Sequence, residues 1–242
     1  MSFFSAEGIS AGYDRHQILT DISFSLEAGT ITGILGANGC GKTTLLKAIC
    51  GILPHAGSCT LLGHSLEALS PRKLSGLVRY IPQRSGISMD ISLMDVVLMG
   101  FNPQLGLLER PGTAMKAAAE KALALVGLAG RAQENYQKLS EGQKQLCILA
   151  RTLSAPANLL LLDEPAAGMN PSETTELMHQ IRRIRDTFHI AIFLIEHDMN
   201  LVMNVCETIA VLNYGRLIAK GTPEEIRQNP TVIEAYLGKE DA

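Results

Sequence analysis

Residues 31–44 read ITGILGANGCGKTT, and this stretch decides what kind of fold the chain adopts. The apolar segment ITGIL leads into Gly36–Thr43, which fits the pattern G-x-x-x-x-G-K-[ST], and a helix is expected from Lys42 to about Cys50. Glycines let backbone N–H groups turn toward phosphate oxygens, and the start of a helix adds a positive partial charge. A random chain contains such a match on the order of once in a hundred. Because a strand and a helix also flank the match, the stretch predicts a phosphate-binding loop.

The residues of this loop are the first candidates for nucleotide binding. Lys42 is placed to reach the β- and γ-phosphate oxygens, and the Thr43 hydroxyl is placed to ligate Mg²⁺. The candidates are Gly36, Asn38, Gly39, Cys40, Gly41, Lys42, Thr43 and Thr44. Cys40 stands beside a lysine and a helix N-terminus, an environment that favours the thiolate. A shielded and unreactive thiol is the alternative.

A second motif supplies two acidic side chains. Leu159–Leu162 is an apolar strand, and Asp163 and Glu164 follow it at the carboxyl end, where open α/β sheets bind their ligands. We expect Asp163 to hold the Mg²⁺ shell and Glu164 to orient or deprotonate the attacking water. Asp-Glu-Pro is also ordinary turn chemistry. The phosphate-binding loop earlier in the chain makes the catalytic interpretation the stronger one.

A third motif, LSEGQ, opens a helix that runs to about Leu153. Ser140 and Gln143 have the spacing of a capping box, so a purely structural role accounts for them. The same helix start also leaves N–H groups free beside Gly142, which predicts a second anion site.

Composition limits the remaining possibilities. The 242 residues carry 21 Lys+Arg and 24 Asp+Glu, a formal net charge of −3, and the basic residues are scattered, so no nucleic-acid partner is expected. The longest apolar run, Ile190–Ile195, is far shorter than the ~20 residues of a spanning helix. The first residues do not resemble a secretory signal, so we expect a cytoplasmic protein. The cysteines form no CxxC pair and are expected to be free thiols.

The order of apolar segments predicts an α/β fold with a mainly parallel sheet and an N-terminal antiparallel β region. Residues 3 to about 35 are predicted to be β, and short strands are expected at 58–62 and 77–81. The stretch from about 90 to 155 has helical spacing, and βα alternation resumes after Pro156. The organisation predicted is therefore a single domain over residues 1–242. Its core is formed by 1–84 and 156–242, and a helical insertion spans 85–155.

Four motifs in this order resemble the ATPase subunit of ATP-binding-cassette (ABC) transporters over essentially the whole chain. They are the phosphate-binding loop, LSEGQ, LLLLDEP and FLIEHD, which ends at a histidine and an acid. The resemblance implies a P-loop NTPase fold and ATP with Mg²⁺ as cofactors. It also implies roles for Tyr13 as the aromatic stacked on adenine, Gln83 as a residue sensing Mg²⁺ and the γ-phosphate, and His197 as a histidine on the γ-phosphate. Each of the three also has an ordinary structural interpretation.

The resemblance further implies partners and location. Two cassettes, identical or merely similar, pair head to tail, and Ser140–Gln143 of one chain close on ATP held by the other. Polytopic permease subunits and an extracytoplasmic substrate-binding protein complete an importer. The cassette then lies at the inner face of the cell membrane. The apolar residues near 85–110 are predicted to select the permease.

Different segments of the chain resemble two subfamilies that transport different cargoes. Segments such as LSPRKLSGLVRYIPQ and SLMDVVLMGFNPQLGLLERPG resemble the ATPases of iron-chelate, haem and cobalamin importers, whereas EPAAGMNP and GTPEEIRQNPTVIEAYLG resemble those of branched-chain amino-acid importers. We predict an iron-chelate, haem or cobalamin cargo, because the resemblance to the first subfamily covers the segment that faces the permease. Branched-chain amino acids are the alternative cargo. A soluble non-transport ABC ATPase is an alternative of another class. A P-loop kinase or GTPase leaves LSEGQ and His197 without a role.

Overall fold

A computed structural model describes residues 3–83, 86–106, 108–154 and 157–237. Its strands are β1 Phe4–Tyr13, β2 His16–Leu26, β3 Ile31–Leu35, β4 His55–Leu61, β5 His64–Ser65, β6 Val78–Ile81, β7 Leu159–Asp163, β8 Ala191–Ile195, β9 Thr208–Asn213 and β10 Arg216–Gly221. Within these described ranges the strands form a four-stranded sheet, ordered β2-β1-β4-β5, and a six-stranded sheet, ordered β10-β9-β3-β8-β7-β6. The predicted α/β fold with an antiparallel N-terminal region is confirmed.

The first sheet is antiparallel, and its long strands alternate largely buried with more exposed residues. Phe4 pairs with Leu26 and Ile9 with Ile22, and all four are buried in one apolar cluster with α1. Period-two alternation of this kind buries one face of a strand and leaves the other to solvent. The sheet therefore packs one face over the nucleotide-loop helix α1, Lys42–Ile49.

The second sheet is mainly parallel, and it positions the motifs. Strands β3, β7 and β8 are buried at every residue, as expected for parallel strands covered on both faces. Strand β3 pairs with β8 and β9, and β7 lies on the other side of β8. Parallel neighbours end at the same edge, so the phosphate-binding loop after β3 and the acids at the end of β7 face the same side of the molecule.

The remaining helices cover this sheet and build a helical region. They are α2 Pro71–Leu77, α3 Leu93–Leu98, α4 Thr113–Leu125, α5 Glu141–Leu153, α6 Pro171–Phe188, α7 Met199–Val205, α8 Pro223–Gln228 and α9 Pro230–Leu237, with 3-10 turns at Met99–Gln104 and Tyr136–Lys138. The helical insertion stays a prediction, and its expected boundaries at 84–85 and 155–156 lie outside the described residues. No helix in the described ranges combines the length and apolar character needed to span a bilayer.

The apolar residues near 90–100 are mostly internal. Leu93, Val96 and Val97 are fully buried, and Met94 and Leu98 are nearly so, because α3 packs between α4 and α5. Leu93, Met94, Val97 and Leu98 are therefore core residues, and selection of the permease by the segment near 85–110 stays a prediction. Met89 remains exposed, with 60% of its surface accessible.

One glycine joins both sheets to the phosphate-binding loop. Gly215, in the turn between β9 and β10, accepts a hydrogen bond from the Thr20 N–H of β2 at 2.9 Å and donates its own N–H to the Cys40 carbonyl at 3.0 Å. Its φ is +72°, and a Cβ there would lie 1.7 Å from the Ile18 carbonyl oxygen. Only glycine fits at this close approach.

Candidate functional site

The phosphate-binding loop lies between β3 and α1, as its sequence predicts. Lys42 is buried, and its Nζ donates to the carbonyl oxygens of Gly36 at 2.7 Å and Ala37 at 3.1 Å. The φ of Gly41 is +109°, and a Cβ there would lie 2.7 Å from Leu19 Cδ2. The loop thus curls around the ammonium group of Lys42. This group donates hydrogen bonds to loop carbonyl oxygens in the positions where it would otherwise donate to a phosphate.

The other loop residues divide into an open tip and a buried base. Asn38 and Gly39 are exposed, and no atom would lie within 4 Å of a Cβ on Gly39, whereas Cys40 and Thr44 are buried. Burial raises the pKa of the Cys40 thiol, although the Lys42 charge acts in the opposite direction. Removal of the sulfur from water outweighs the nearby positive charge, which favours the shielded thiol over the thiolate at Cys40.

The Asp163 carboxylate links the loop to the sheet. Thr43 Oγ1 donates to Asp163 Oδ1 at 3.0 Å, and the Tyr80 hydroxyl donates to Asp163 Oδ2 at 2.8 Å. Burial raises the pKa of Asp163, and the hydrogen bonds from Tyr80 and Thr43 partly offset that effect. A hydroxyl and a carboxylate side by side are the oxygen ligands that Mg²⁺ prefers, so this pair fits the ion.

Glu164 is held by both residues that the resemblance assigned to the γ-phosphate. Its Oε2 accepts from Gln83 Nε2 at 2.7 Å, and its Oε1 contacts His197 Nε2. The backbone of Glu164 has a φ of +49°, and its N–H donates to the Ile195 carbonyl of β8 at 3.0 Å. The left-handed turn separates the direction of this side chain from that of Asp163. Each oxygen therefore has one protein partner and keeps a second lone pair with which it can accept a hydrogen bond from a water molecule.

Tyr13 ends β1 beside α1. Its ring is 41% exposed, and Lys47 Nζ lies 6.0 Å from the ring centroid, a cation–π distance. An exposed aromatic face near the loop helix is suited to stacking on a nucleobase, and the structure leaves that role a prediction.

The LSEGQ motif begins α5 with a full capping box. Ser140 Oγ accepts from the Gln143 N–H at 3.3 Å, and Gln143 Oε1 accepts from the Ser140 N–H at 3.3 Å. Gly142 is buried, and Glu141 pairs with Lys144 at 2.8 Å. Spacing alone indicates this cap, and the structural role is therefore present whatever else the motif does.

Two acids near the site had no assigned role in the sequence. Glu196, between β8 and His197, is buried, and its Oε1 accepts from the Ala166 N–H at 2.8 Å. Burial raises the pKa of Glu196. Glu173, in the first turn of α6, accepts from the Asn170 N–H at 3.3 Å. The sequence Asn170-Pro-Ser-Glu173 carried the signal for the second of these, because it has capping-box spacing.

A separate cluster within the described ranges brings metal-ligating atoms together away from the loop. Ligand atoms of His55, Cys59 and Glu67 lie within 4.8 Å of one another. The Glu67 carboxylate accepts from the Cys59 N–H at 2.5 Å and from the Ser65 hydroxyl at 2.8 Å, and it lies 3.3 Å from His55 Nε2. These hydrogen bonds account for the position of Glu67 in the turn after β5.

Comparisons with known families match the motifs just described. The family described as ABC transporter matches residues 19–167, and the family described as branched-chain amino acid ATP-binding cassette transporter matches residues 216–242. The first match contains the phosphate-binding loop, α5 and both acids of β7, and the second contains β10 and the C-terminal helices.

Relatives and solved structures agree with these matches. The high-affinity branched-chain amino acid transport ATP-binding protein LivG of Salmonella typhimurium is 37% identical over 235 residues, covering 91% of this chain and 92% of LivG. The hemin import ATP-binding protein HmuV of Bordetella bronchiseptica is 36% identical over 218 residues, covering 86% of this chain and 82% of HmuV. A crystal structure of a nucleotide-free ATP-binding cassette from an ABC transporter superimposes with a TM-score of 0.88 at 25% identity, covering 98% and 99% of the two chains.

The match over residues 19–167 covers more than half of the chain, and LivG covers nearly all of it at more than 30% identity. Together with the phosphate-binding loop and the acids of β7, these matches show that the chain belongs to the ABC transporter family, as one of the ATPases that hydrolyse ATP to power transport.

Proposed function

We propose that the chain is the ATP-hydrolysing subunit of an importer for branched-chain amino acids. The observation that carries the ATPase site is the position of Glu164, held between Gln83 and His197 one residue after the Asp163 that binds Thr43. The cargo is supported by LivG and by the family match at residues 216–242.

The nucleotide is held by the loop and its neighbours. Tyr13 stacks on the base, Lys42 leaves the loop carbonyls for the phosphate oxygens, and the N–H groups of the loop and of α1 surround the phosphates. The residues proposed to bind ATP within one chain are Tyr13, Gly36, Asn38, Gly39, Cys40, Gly41, Lys42, Thr43 and Thr44.

Thr43, Asp163 and Gln83 would hold Mg²⁺, which supplies charge neutralisation at the phosphates when bound. Glu164 accepts the proton of the attacking water as a general base. Gln83 and His197 first release its oxygens, and His197 then contacts the γ-phosphate. Because both already contact Glu164, small side-chain rotations convert the resting arrangement into the active one.

Paired cassettes complete the site. Ser140, Gly142 and Gln143 of one chain bind the ATP held by the loop of its partner, through the free N–H groups at the start of α5. The pair associates with polytopic permease subunits at the inner face of the cell membrane and works with an extracytoplasmic substrate-binding protein. No nucleic-acid partner is proposed, since the net charge is −3 and the basic residues are dispersed.

A second cargo class has its own support. HmuV is nearly as similar as LivG, and the sequence before residue 155 resembles iron-chelate, haem and cobalamin importer ATPases. LivG covers a larger share of the chain, and the C-terminal family match favours the same cargo, so branched-chain amino acids replace the iron-chelate prediction as the main proposal.

The Glu164→Gln variant tests the ATPase site. It should bind MgATP and accumulate as a closed dimer on size-exclusion chromatography, while its steady-state hydrolysis falls by ~10²–10⁴-fold, the usual cost of losing a general base. Lys42→Ala, the matched control, should fail to bind ATP. Near wild-type turnover in Glu164→Gln would remove Glu164 from the role of base.

Cargo is tested separately. The chain is reconstituted with branched-chain amino-acid permease subunits and, in parallel, with hemin permease subunits. Stimulation of hydrolysis by leucine with its binding protein supports the proposal, and stimulation only by hemin contradicts it.

A further inference from the structure

The N-terminus of α5 already holds a carboxylate from the same chain. Glu173, in the first turn of α6, packs against the start of α5: a Cβ on Gly142 would lie 3.0 Å from the Cβ, Cγ and Cδ atoms of Glu173. The Glu173 carboxylate accepts a hydrogen bond from the Asn170 N–H at 3.3 Å, and it lies near the Ser140 hydroxyl and the Gly142 N–H. These three polar groups keep the pKa of Glu173 below its usual value, with Ser140 having the largest effect, so the group is an anion at neutral pH.

Two of the groups that face the Glu173 carboxylate, the Ser140 hydroxyl and the Gly142 N–H, are also proposed to bind phosphate. A hydroxyl has a single proton to donate, and a backbone N–H has one as well, so Ser140 and Gly142 serve either the carboxylate or an incoming phosphate oxygen. The two ligands are also both negative, and they repel each other at contact distance. Phosphate binding at α5 therefore requires the Glu173 side chain to turn away.

We propose that Glu173 occupies the anion-binding end of α5 in the unpaired subunit and competes there with the phosphate of ATP bound to the partner cassette. This inference rests on the proposed pairing of cassettes. Glu173 thereby sets the ATP concentration at which two subunits close. It acts through Ser140 and Gly142 and does not touch the reacting atoms itself.

A cap of α6 alone would also place Glu173 near this position. Its backbone N–H donates to Asn170 Oδ1 at 3.0 Å, and its carboxylate accepts from the Asn170 N–H at 3.3 Å. Glutamine serves equally in a capping box, so Glu173→Gln keeps the cap and removes only the charge. The matched control is Glu176→Gln on the same helix, whose carboxylate accepts from Gln180 Nε2 at 2.6 Å.

The test uses the full chain in the Glu164→Gln background and measures the ATP concentration that gives half-maximal dimer by light scattering. Adding Glu173→Gln should lower that concentration about tenfold, the size expected for losing one charge-assisted hydrogen bond of the competing group. Adding Glu176→Gln should leave it unchanged. With Glu164 intact, Glu173→Gln should lower the KM for ATP while kcat stays within about twofold, a split that a structural defect does not produce.

An equal or higher ATP requirement in the Glu173→Gln variant overturns the inference while the pairing stands. A Glu164→Gln parent that stays monomeric at saturating MgATP overturns the pairing and, with it, the inference. Thermal unfolding is measured on each variant, and a midpoint of Glu173→Gln within about 2 °C of the parent shows that the cap is retained.

Discussion

The Tyr80 hydroxyl donates a hydrogen bond of 2.8 Å to the Asp163 oxygen that Thr43 does not use. The two donors come from β6 and from the phosphate-binding loop, so Asp163 is fixed from both sides in a buried position. Burial raises the pKa of Tyr80, and the neighbouring Asp163 charge raises it further, so the phenol keeps its proton for this bond.

Tyr80→Phe should raise the Mg²⁺ concentration needed for half-maximal ATPase activity about tenfold, because a carboxylate freed on one side is held less firmly toward its ion. The measurement is hydrolysis as a function of Mg²⁺ at saturating ATP. Binding of ATP in the presence of EDTA is the internal control and should stay unchanged. An unaltered Mg²⁺ requirement would limit Tyr80 to a packing role.

Glu196→Gln should stabilise the fold, and more so as the pH rises. The pKa of Glu196 is raised above its ordinary value of 4.5 by burial, so the folded chain prefers the protonated form. Its contribution is favourable below the unfolded pKa and is lost as the pH rises through the folded one. The amide keeps an oxygen for the Ala166 N–H and carries no charge.

Thermal unfolding at about pH 5 and about pH 8 checks this prediction. The midpoint of Glu196→Gln should exceed that of the wild type by roughly 2–4 °C at the higher pH, the effect of about 1 kcal/mol in a chain of this size, and by less at the lower pH. The exposed Glu120→Gln is the control. If the difference between the two unfolding midpoints became smaller as the pH rises, the predicted pH dependence would have the wrong sign. That result would exclude a destabilising buried charge at Glu196.

The cysteines should react slowly in the folded protein. Burial raises the pKa of all the thiols, that of Cys59, Cys147 and Cys206 to about 12. Thiolate is the reactive form, so iodoacetamide at about pH 8 should modify the native chain at least about tenfold more slowly than the urea-unfolded chain. Intact-mass analysis follows the reaction. Rapid modification of Cys40 that MgATP prevents would restore the thiolate hypothesis for the loop.

Met89→Lys should weaken the complex with permease subunits several-fold and leave the ATPase activity of the isolated subunit unchanged. Met89 is 60% exposed in the segment predicted to select the permease, and a flexible thioether suits adaptable contacts. Co-purification with branched-chain amino-acid permease subunits measures the effect. Ile52→Lys is the matched control, since Ile52 is 59% exposed in the turn after α1. Equal losses in both variants would place the permease contact elsewhere.

The sequence predicts the parts of this fold that have a strong local pattern. Strands β3, β7 and β8 are mainly apolar runs, and the phosphate-binding loop and the capping box of α5 follow short motifs. Helix α2 was missed because none of its residues is buried, so it has no apolar periodicity, although Ser70-Pro71 is a common helix start. Helices α3, α4 and α5 lie in the stretch with helical spacing, but this spacing does not show where each helix begins and ends.

In the candidate site, too, the residues in local motifs could be predicted and the others could not. Sequence patterns identified Asp163, Glu164 and the loop, and the resemblance added Gln83 and His197, which the fold brings onto Glu164. The sequence did not indicate the roles of Tyr80 and Glu196, because their hydrogen-bond partners are distant in the sequence and come close only in the folded sheet. The sequence left two interpretations of Cys40 open, because it shows the nearby charge but not the depth at which the thiol is buried.

The two hydrogen bonds of Gly215 limit where segments of this chain can be replaced. The glycine ties the last hairpin to the back of the phosphate-binding loop and to β2, and the C-terminal family match begins at the very next residue, 216. A hybrid chain joined just after Gly215 would keep both hydrogen bonds of this bridge and the nucleotide loop of the recipient. Breakpoints that replace the glycine would push a side chain into the Ile18 carbonyl and separate the two sheets.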